Sequence, residues 1–434
     1  MFRSLAILLL WSIAAISLAA PDIQHWTMVN GARVYFIQAK ELPMVDVRVV
    51  FDAGAARDGN QPGLAQLSSA LLPEGAGELD ADAIAERFDN LGAQFGTQAE
   101  RDMAVVSLRS LTESKILQSA LETMALVLRQ PTMPVAAFER VRKRMETALQ
   151  RQLQSPSSLA SRAFYRRLYG DSPYGHLPLG TQEGLASLTR KDVLAFHRRY
   201  YVASNAVVAI VGALERSQAE QVAEQVIGDL PIGKPAPALP PVLNISKPGV
   251  EAIRYPSSQT TIISGTIGVR RGASDYFPLY VGNHVLGGSG LVSQISVELR
   301  EKRGLTYSAN SYFSPMRRRG PYVMALQTRN EQAEEALKVL RETLRDFIAE
   351  GPSEEELRLA KQNITGGFPL RIDSNGEKVQ YLAMIGFYQL PLDYLETFIS
   401  QVEAVTVAQI REAFQKRIDL DKMVTVMVGG ATKE

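Results

Sequence analysis

The side chains of this sequence most suited to holding a metal are its four histidines, because the chain contains no cysteine. They are His25, His176, His197 and His284. Protein zinc sites are built from imidazoles, thiolates and carboxylates, and two histidines four residues apart on a helix are a frequent source of two ligands. No two of the four have this spacing. We therefore expect each histidine to be structural, with His284 on a buried helix.

The segment 62–72 is where a metal motif would be expected from the order of elements. It is predicted to form the first turns of a helix after a strand that ends at 51–54. In zinc peptidases with an inverted motif, such a helix carries His-x-x-Glu-His, with two imidazoles on the metal and the carboxylate activating water. Gln66, Ser69 and Ala70 occupy those three positions here. An amide, a hydroxyl and a methyl group cannot hold zinc tightly.

Composition excludes several classes of function. The 434 residues carry a net charge of +1 and are 46% hydrophobic, enough for two or three domains with sizeable cores. A nucleic-acid partner is not expected, because it requires a concentrated basic surface. The three arginines at 317–319 are predicted to be a solvated turn. Disulfides and thiolate chemistry are excluded by the lack of cysteine.

Residues 1–20 have the pattern of a secretory signal peptide. Arg3 precedes an apolar run at 5–18, and two alanines follow before Pro21. The run is shorter than the roughly 20 apolar residues that span a bilayer comfortably, so a cleaved signal is favoured over an uncleaved membrane anchor. An exported, disulfide-free protein of this size fits the bacterial periplasm, without a membrane span in the mature chain.

The chain contains an internal repeat on either side of a linker. The linker, 231–248, contains six prolines and is predicted to be extended. The halves, 21–230 and 249–434, show the same order of strands, a helix, a further strand and a long amphipathic helix. The predicted strands of the first half are 33–37, 45–51 and 104–111, and those of the second are 260–269 and 322–328.

Both halves also end alike. Thr189 and Thr406 each precede a predicted helix and a strand ending in glycine 23 residues later, at Gly212 and Gly429. Threonine is a favourable N-cap residue. The sequence therefore predicts an α+β protein of two homologous domains, each a mostly antiparallel sheet with helices packed on one face.

Several stretches resemble the M16 family of zinc peptidases, which includes pitrilysin and the mitochondrial processing peptidase. The most specific are Ser-Pro-Tyr-Gly-His at 172–176, Leu-Gly-Thr at 179–181, the closing strand 205–212, and 287–290 followed by 298–308. The resemblance extends over 24–430 and is strongest to the subfamily whose chains are about this long and pair up. It implies the LuxS/MPP-like metallohydrolase fold.

The resemblance also implies where a zinc site would lie. The two zinc ligands of the family fall on Gln66 and Ala70, its general base falls on Ser69, and its third ligand falls near 146–148, close to Glu146. Zinc needs three protein ligands, so one carboxylate does not restore the site. We predict that this chain binds no metal or other cofactor, with a degenerate motif in its first domain.

In the second domain, related peptidases carry an arginine and a tyrosine that reach across the chamber to the zinc site. Arg300 and Tyr307 match their spacing. A guanidinium can donate to substrate carbonyls, and a phenol can donate to the oxyanion that forms during peptide cleavage. Gly304 is expected to end the helix, with Arg300 in its last turn and Tyr307 on the following strand. Both residue types are also ordinary at such positions.

Two further segments resemble family features more weakly. The glycine-rich stretch 287–290 lacks the spacing of a nucleotide-binding loop, and in related non-catalytic subunits such a loop lies near the substrate path. The stretch 92–97 resembles the sheet edge to which the family adds a substrate peptide as an extra strand.

These observations favour a non-catalytic subunit of a heterodimeric, exported M16-type metalloendopeptidase. Its partner would be a homologous subunit with an intact His-x-x-Glu-His motif and the zinc ion, and the substrate would be an unfolded peptide. Alone, the chain is expected to be inactive. One alternative is a peptide-binding or structural subunit with no peptidase partner. A second is a self-sufficient peptidase with unusual ligands.

Overall fold

The computed structural model describes residues 21–243 and 248–430. The predicted signal peptide, 1–20, lies outside this part of the chain, as do four residues of the linker, 244–247. Within the described ranges, no helix combines the length and apolar character needed to cross a bilayer.

The first half is built on a six-stranded sheet. The sheet has the order β1-β2-β8-β3-β7-β6, in which only β2 and β8 pair in parallel. Two short strands, β4 and β5, form a separate hairpin. The strands are β1 (Gln24–Thr27), β2 (Arg33–Gln38), β3 (Met44–Phe51), β4 (Gly75–Ala76), β5 (Leu79–Asp80), β6 (Gln94–Ala99), β7 (Ala104–Leu111) and β8 (Ala206–Gly212). The helices are α1 (Leu64–Leu71), α2 (Ala81–Asn90), α3 (Ser114–Arg129), α4 (Val135–Leu153), α5 (Pro156–Tyr169), α6 (Gln182–Ser187), α7 (Arg190–Tyr200) and α8 (Arg216–Ile227).

The second half is built on a five-stranded sheet of order β11-β12-β10-β13-β9, in which only β13 and β9 are parallel. The strands are β9 (Gly249–Arg254), β10 (Gln259–Ile267), β11 (Ala309–Phe313), β12 (Pro321–Arg329) and β13 (Val424–Gly429). The helices are α9 (Tyr276–Asn283), α10 (Gln294–Ser296), α11 (Ala333–Glu350), α12 (Glu354–Gly367), α13 (Asn375–Tyr388), α14 (Tyr394–Glu403) and α15 (Val407–Arg417).

The predicted repeat is confirmed by the corresponding ends of the two halves. Thr189 and Thr406 cap α7 and α15, and each helix returns a side chain to the capping residue, from Asp192 and from Gln409. These are capping boxes, in which two otherwise free backbone N–H groups are satisfied reciprocally. The closing strand then lies inside each sheet, β8 between β2 and β3 and β13 between β10 and β9.

Each half has one helix that packs on the sheet of the other half. Helix α13 of the second half packs on β2, β3 and β8, whereas α5 of the first half packs on β10 and β13. All seven residues of β8 are buried, so both faces of this strand need a cover. The predicted fold class is confirmed, but the sequence did not show that the second face of each sheet is covered by the other half.

Residues 231–243 of the linker form no helix or strand, and this segment is fixed to both halves. Leu239 and Val242 are buried in the core beneath α5. Arg57 of the first half donates to the Pro237 carbonyl at 2.6 Å, and Arg318 of the second donates to the Leu239 carbonyl. The linker thus stabilises the contact between the halves instead of separating them.

The prediction of a solvated turn for 317–319 is wrong. These arginines are partly buried in the contact between the halves. The Arg317 guanidinium lies 4.3 Å from the centre of the Phe387 ring and 3.4 Å from the Asp52 carboxylate. A guanidinium can stack on an aromatic ring while binding a carboxylate, which explains why charged residues occupy this interface.

Candidate functional site

Helix α1, which carries the positions predicted for the degenerate metal motif, begins at a buried carboxylate. The Asp58 carboxylate accepts the backbone N–H groups of Gly63 and Ala65, both at 2.7 Å, and lies 3.0 Å from Nε2 of His176. A carboxylate at a helix N-terminus satisfies free N–H groups and is favoured by the helix dipole. Burial nevertheless raises the pKa of Asp58, and its bonds to His176 and the two N–H groups oppose that shift.

The three motif positions on α1 do not form a ligand set. Ser69 is fully buried, and its hydroxyl has no hydrogen-bond partner in the part of the chain that the structure describes. The hydroxyl of Tyr201 faces it, also without a bond of normal geometry, and burial raises the pKa of that phenol. Gln66 and Ala70 are half-buried, and the methyl group of Ala70 has no donor atom. Zinc needs three protein ligands. The side chains at two of the predicted ligand positions, Gln66 and Ala70, are unsuitable in type.

Helix α4 carries the position expected for a third ligand. It packs against α1, so the two elements that would share a metal are adjacent. Glu146 on α4 is half-buried, and its carboxylate lies 3.5 Å from the Lys143 ammonium one turn earlier. Over 21–243 and 248–430, no cluster of three or more histidine, aspartate or glutamate side chains could hold a metal ion.

Each histidine has a contact within the chain. His25 stacks on Tyr35 with ring centres 4.3 Å apart. Buried His197 lies 2.9 Å from the Leu128 carbonyl, and burial lowers its pKa to about 4. His284 is half-buried at the end of α9, and burial, then nearby Arg371, lower its pKa. With the Asp58–His176 pair, these contacts match the structural roles predicted for the histidines.

Arg300 lies where the sequence predicts, in the last turn of a helix. Helix α10 continues as a wider π-helical turn, Val297–Glu301. The chain then reverses at Gly304, whose φ of +61° is in the left-handed region that favours glycine. The N–H of Gly304 donates to the Arg300 carbonyl at 3.0 Å.

Tyr307 does not lie on a strand, contrary to the prediction. It occupies a bend two residues before β11. The Thr306 hydroxyl accepts the Ser308 N–H at 3.1 Å and donates to the Gln327 carbonyl of β12 at 2.6 Å. These side-chain bonds fix a local turn that competes with the strand, so the phenol projects outward beside the sheet.

Arg300 and Tyr307 are both available to a group outside the chain. Tyr307 is 85% exposed, and Arg300 is also exposed. The neighbouring cations Lys302 and Arg303 both bind the Glu298 carboxylate, at 2.5 Å each. In contrast, the Arg300 guanidinium has no ion pair or hydrogen bond to any residue of the described ranges.

Strand β6 forms an edge of the first sheet. It pairs with β7 only, so its other side presents unpaired backbone N–H and carbonyl groups. Phe95 on this strand stacks on Phe88 of α2 at 4.6 Å, which holds the strand flat against the helix. Such an edge can accept an added strand from a peptide.

The glycine-rich stretch has a packing role. It ends the π-helical turn His284–Gly288 that follows α9. At Gly287 an added Cβ would lie 2.3 Å from the Ser311 hydroxyl oxygen and 2.7 Å from its backbone nitrogen. Only glycine therefore allows this turn to approach β11.

Comparison with known proteins identifies the family. Residues 33–182 match the model "Insulinase (Peptidase family M16)", and 187–364 match the model "Peptidase M16 inactive domain". A crystal structure of a peptidase M16 inactive domain from Pseudomonas fluorescens is 40% identical, covers 95% of this chain and 98% of its own, and superposes with a TM-score of 0.91. The chain belongs to peptidase family M16.

The M16 relatives carry different descriptions of their activity. A Helicobacter pylori protein named as a non-peptidase homolog is 23% identical over 94% of both chains. A Bacillus subtilis protein described as an uncharacterized zinc protease is also 23% identical, over 82% of this chain and 86% of its own. This chain is an M16 homologue of the inactive type.

Proposed function

We propose that this chain is the non-catalytic subunit of a heterodimeric, exported M16 zinc metallopeptidase. Its partner is a homologous subunit that carries His-x-x-Glu-His and the zinc ion. This chain closes the chamber and presents Arg300 and Tyr307 to the partner's site. The guanidinium positions substrate carbonyls, and the phenol donates to the oxyanion as the peptide is cleaved.

The observation that carries the proposal is the exposure of Arg300 and Tyr307 without partners in a protein whose own motif lacks metal ligands. A long side chain loses conformational freedom when it is held in one geometry, and nothing in the described chain holds these two. They are therefore free to act on a group supplied by another molecule. The apolar run before residue 20 supports export to the periplasm.

The first experiment tests whether zinc binding and catalysis belong to the partner subunit. The purified chain should hold no stoichiometric zinc and should cleave no unfolded peptide. Mixed with an exported homologue that has His-x-x-Glu-His, it should form a complex, and peptide cleavage should exceed that of the partner alone. Zinc and proteolysis in the isolated chain would refute the proposal, as would a partner whose activity does not depend on this subunit.

The second experiment tests the two side chains in the complex. Arg300→Ala or Tyr307→Phe should lower kcat/KM, by about 10²–10³ if Tyr307 is an oxyanion donor. Arg303→Ala is the matched control, because Arg303 is a nearby exposed arginine already bound to Glu298. Unchanged turnover in both variants, or an equal loss in the control, would leave this chain with a scaffolding role only.

The alternative is a peptide-binding or structural subunit with no peptidase partner. The open edge of β6 favours it, since this edge can bind an extended peptide without any metal. Peptide binding by the isolated chain, lost when a proline is placed at Thr97, would support the alternative. Proline removes a backbone N–H donor and distorts an edge strand.

A further inference from the structure

A cleft lies in the second half of the chain, between α9, the π-helical turn after it and β11. It is distant in sequence from helix α1. It encloses about 330 Å³, the lower end of the range for small-molecule sites. Its lining includes Arg271, Arg371 and His284, together with Tyr276, Tyr280 and Ser311. Among the described residues, no aspartate or glutamate lines it.

The two guanidiniums of this cleft are not neutralised within the described chain. Neither Arg271 nor Arg371 forms an ion pair there. Asp275, at the start of α9, is bound by both Arg417 nitrogens at 2.6 and 2.9 Å. Asp373, two residues after Arg371, makes no ion pair with it. The C-terminal end of α9 offers only about half a negative charge. The cleft therefore keeps a net positive charge.

Arg271 is held in place by aromatic rings. Its guanidinium lies 5.8 Å from the ring centre of Tyr276 and 5.5 Å from that of Tyr388. Its Nε is buried and has no hydrogen-bond partner. The carboxylate of Asp102 accepts hydrogen bonds from the Tyr388 and Tyr174 hydroxyls. A guanidinium held beside aromatic rings and without an ion pair among the described residues is suited to bind an oxyanion through its terminal nitrogens.

Two tyrosine hydroxyls of the cleft retain their protons. Arg371 donates to the Tyr280 hydroxyl at 2.6 Å, which leaves the Tyr280 proton available. Burial raises the pKa of Tyr276, so this phenol stays protonated. Burial and Arg371 lower the pKa of His284, as expected for an imidazole beside an unneutralised cation.

We propose that this cleft binds an anionic group, a carboxylate or a phosphate, attached to a small apolar or aromatic body. Arg271 and Arg371 bind the oxygens, and the rings of Tyr276 and Phe313 line the space for the body. The site requires no partner subunit, so it is independent of the proposed peptidase function.

Calorimetric titration of the purified protein tests the proposal with five compounds. Phenylacetate and phenyl phosphate represent the two anions, phenylacetamide is the uncharged control, and a short peptide ending in phenylalanine is used as free acid and as amide. At least one anion should bind with a Kd of about 1 mM or tighter. Preference for the peptide acid would identify a chain terminus as the anion, and preference for the small acids a free metabolite-sized ligand.

Two variants and one control locate the binding. Arg271→Gln and Arg371→Gln should each weaken the bound anion about tenfold or more. Arg411→Gln removes an exposed arginine of α15 that does not line the cleft, and should change binding by about twofold at most. Arg371 is exposed, so its variant should fold even if that of Arg271 does not. Equal binding of phenylacetamide, no binding of any anion, or full binding by Arg371→Gln would overturn the proposal.

Discussion

Asp102 connects the two halves of the protein, and its removal is predicted to loosen them. It is 3% exposed, in the turn between β6 and β7. Its carboxylate accepts the Tyr174 hydroxyl of the first half at 2.6 Å. From the second half it accepts the Tyr388 hydroxyl of α13 at 2.9 Å and the Arg317 N–H at 2.7 Å. Asp102→Ala would leave three donors without this acceptor.

The expected loss follows from those three bonds. A donor left unsatisfied in the interior costs about 1–1.5 kcal/mol at the lower end of measured values, so the free energy of unfolding should fall by about 3–5 kcal/mol. Unfolding entropy of roughly 2.1 cal/mol/K per residue gives about 0.9 kcal/mol/K for a chain of this length. The melting temperature should therefore fall by about 3–6 °C.

Differential scanning calorimetry at pH 7 would measure this change. Asp421→Ala is the matched control, because Asp421 is exposed and its side chain accepts no hydrogen bond from another described residue. Its melting temperature should stay within about 1 °C of the parent protein. An Asp102→Ala protein that melts within 1 °C of the parent, or a control that falls equally, would show that this carboxylate does not join the halves.

Three further outcomes are expected. His197 has a pKa lowered to about 4 by burial against about 6.5 when unfolded. The unfolded state therefore binds more protons between these values, and stability is full above pH 6.5 and falls by about 3 kcal/mol as pH drops to 4. Urea unfolding across this range should show a shallower pH dependence in His197→Gln, and an unchanged slope would contradict this assignment. Ser69→Ala should keep or raise the melting temperature by up to about 1 °C, because the buried Ser69 hydroxyl has no partner; a clear loss would reveal a bond at this site. Arg300→Ala and Tyr307→Phe should leave the melting temperature of the isolated chain within about 1 °C, since both side chains are exposed, and a larger fall would indicate a structural role instead.

Much of the fold could be predicted from local pattern. The two threonine caps and the alternation of apolar residues depend on neighbours within a few positions, and so the repeat of elements was found correctly. The helix end at Gly304 was found for the same reason, since its positive φ is a local requirement. The degenerate motif on α1 stays a prediction, made because the side chains at Gln66, Ser69 and Ala70 are unsuited in type to zinc ligation.

The errors concern residues whose partners are distant in sequence. Tyr307 was placed on a strand, but Thr306 bonds to Gln327 and holds a bend. The arginines at 317–319 were predicted to be solvated, whereas Arg317 stacks on Phe387. The anion-binding cleft had no sequence signal, because Arg271 and Arg371 are a hundred residues apart.

The order of residues was therefore enough to specify the elements, their capping and the duplication, all of which depend on side-chain type and short spacing. The packing of α5 and α13 on the opposite half arose only on folding, because the central strands of both sheets are largely buried and need a cover on each face. The exposure of Arg300 likewise depends on which carboxylates fold near it, since Glu298 binds Lys302 and Arg303 and leaves this guanidinium unpaired among the described residues.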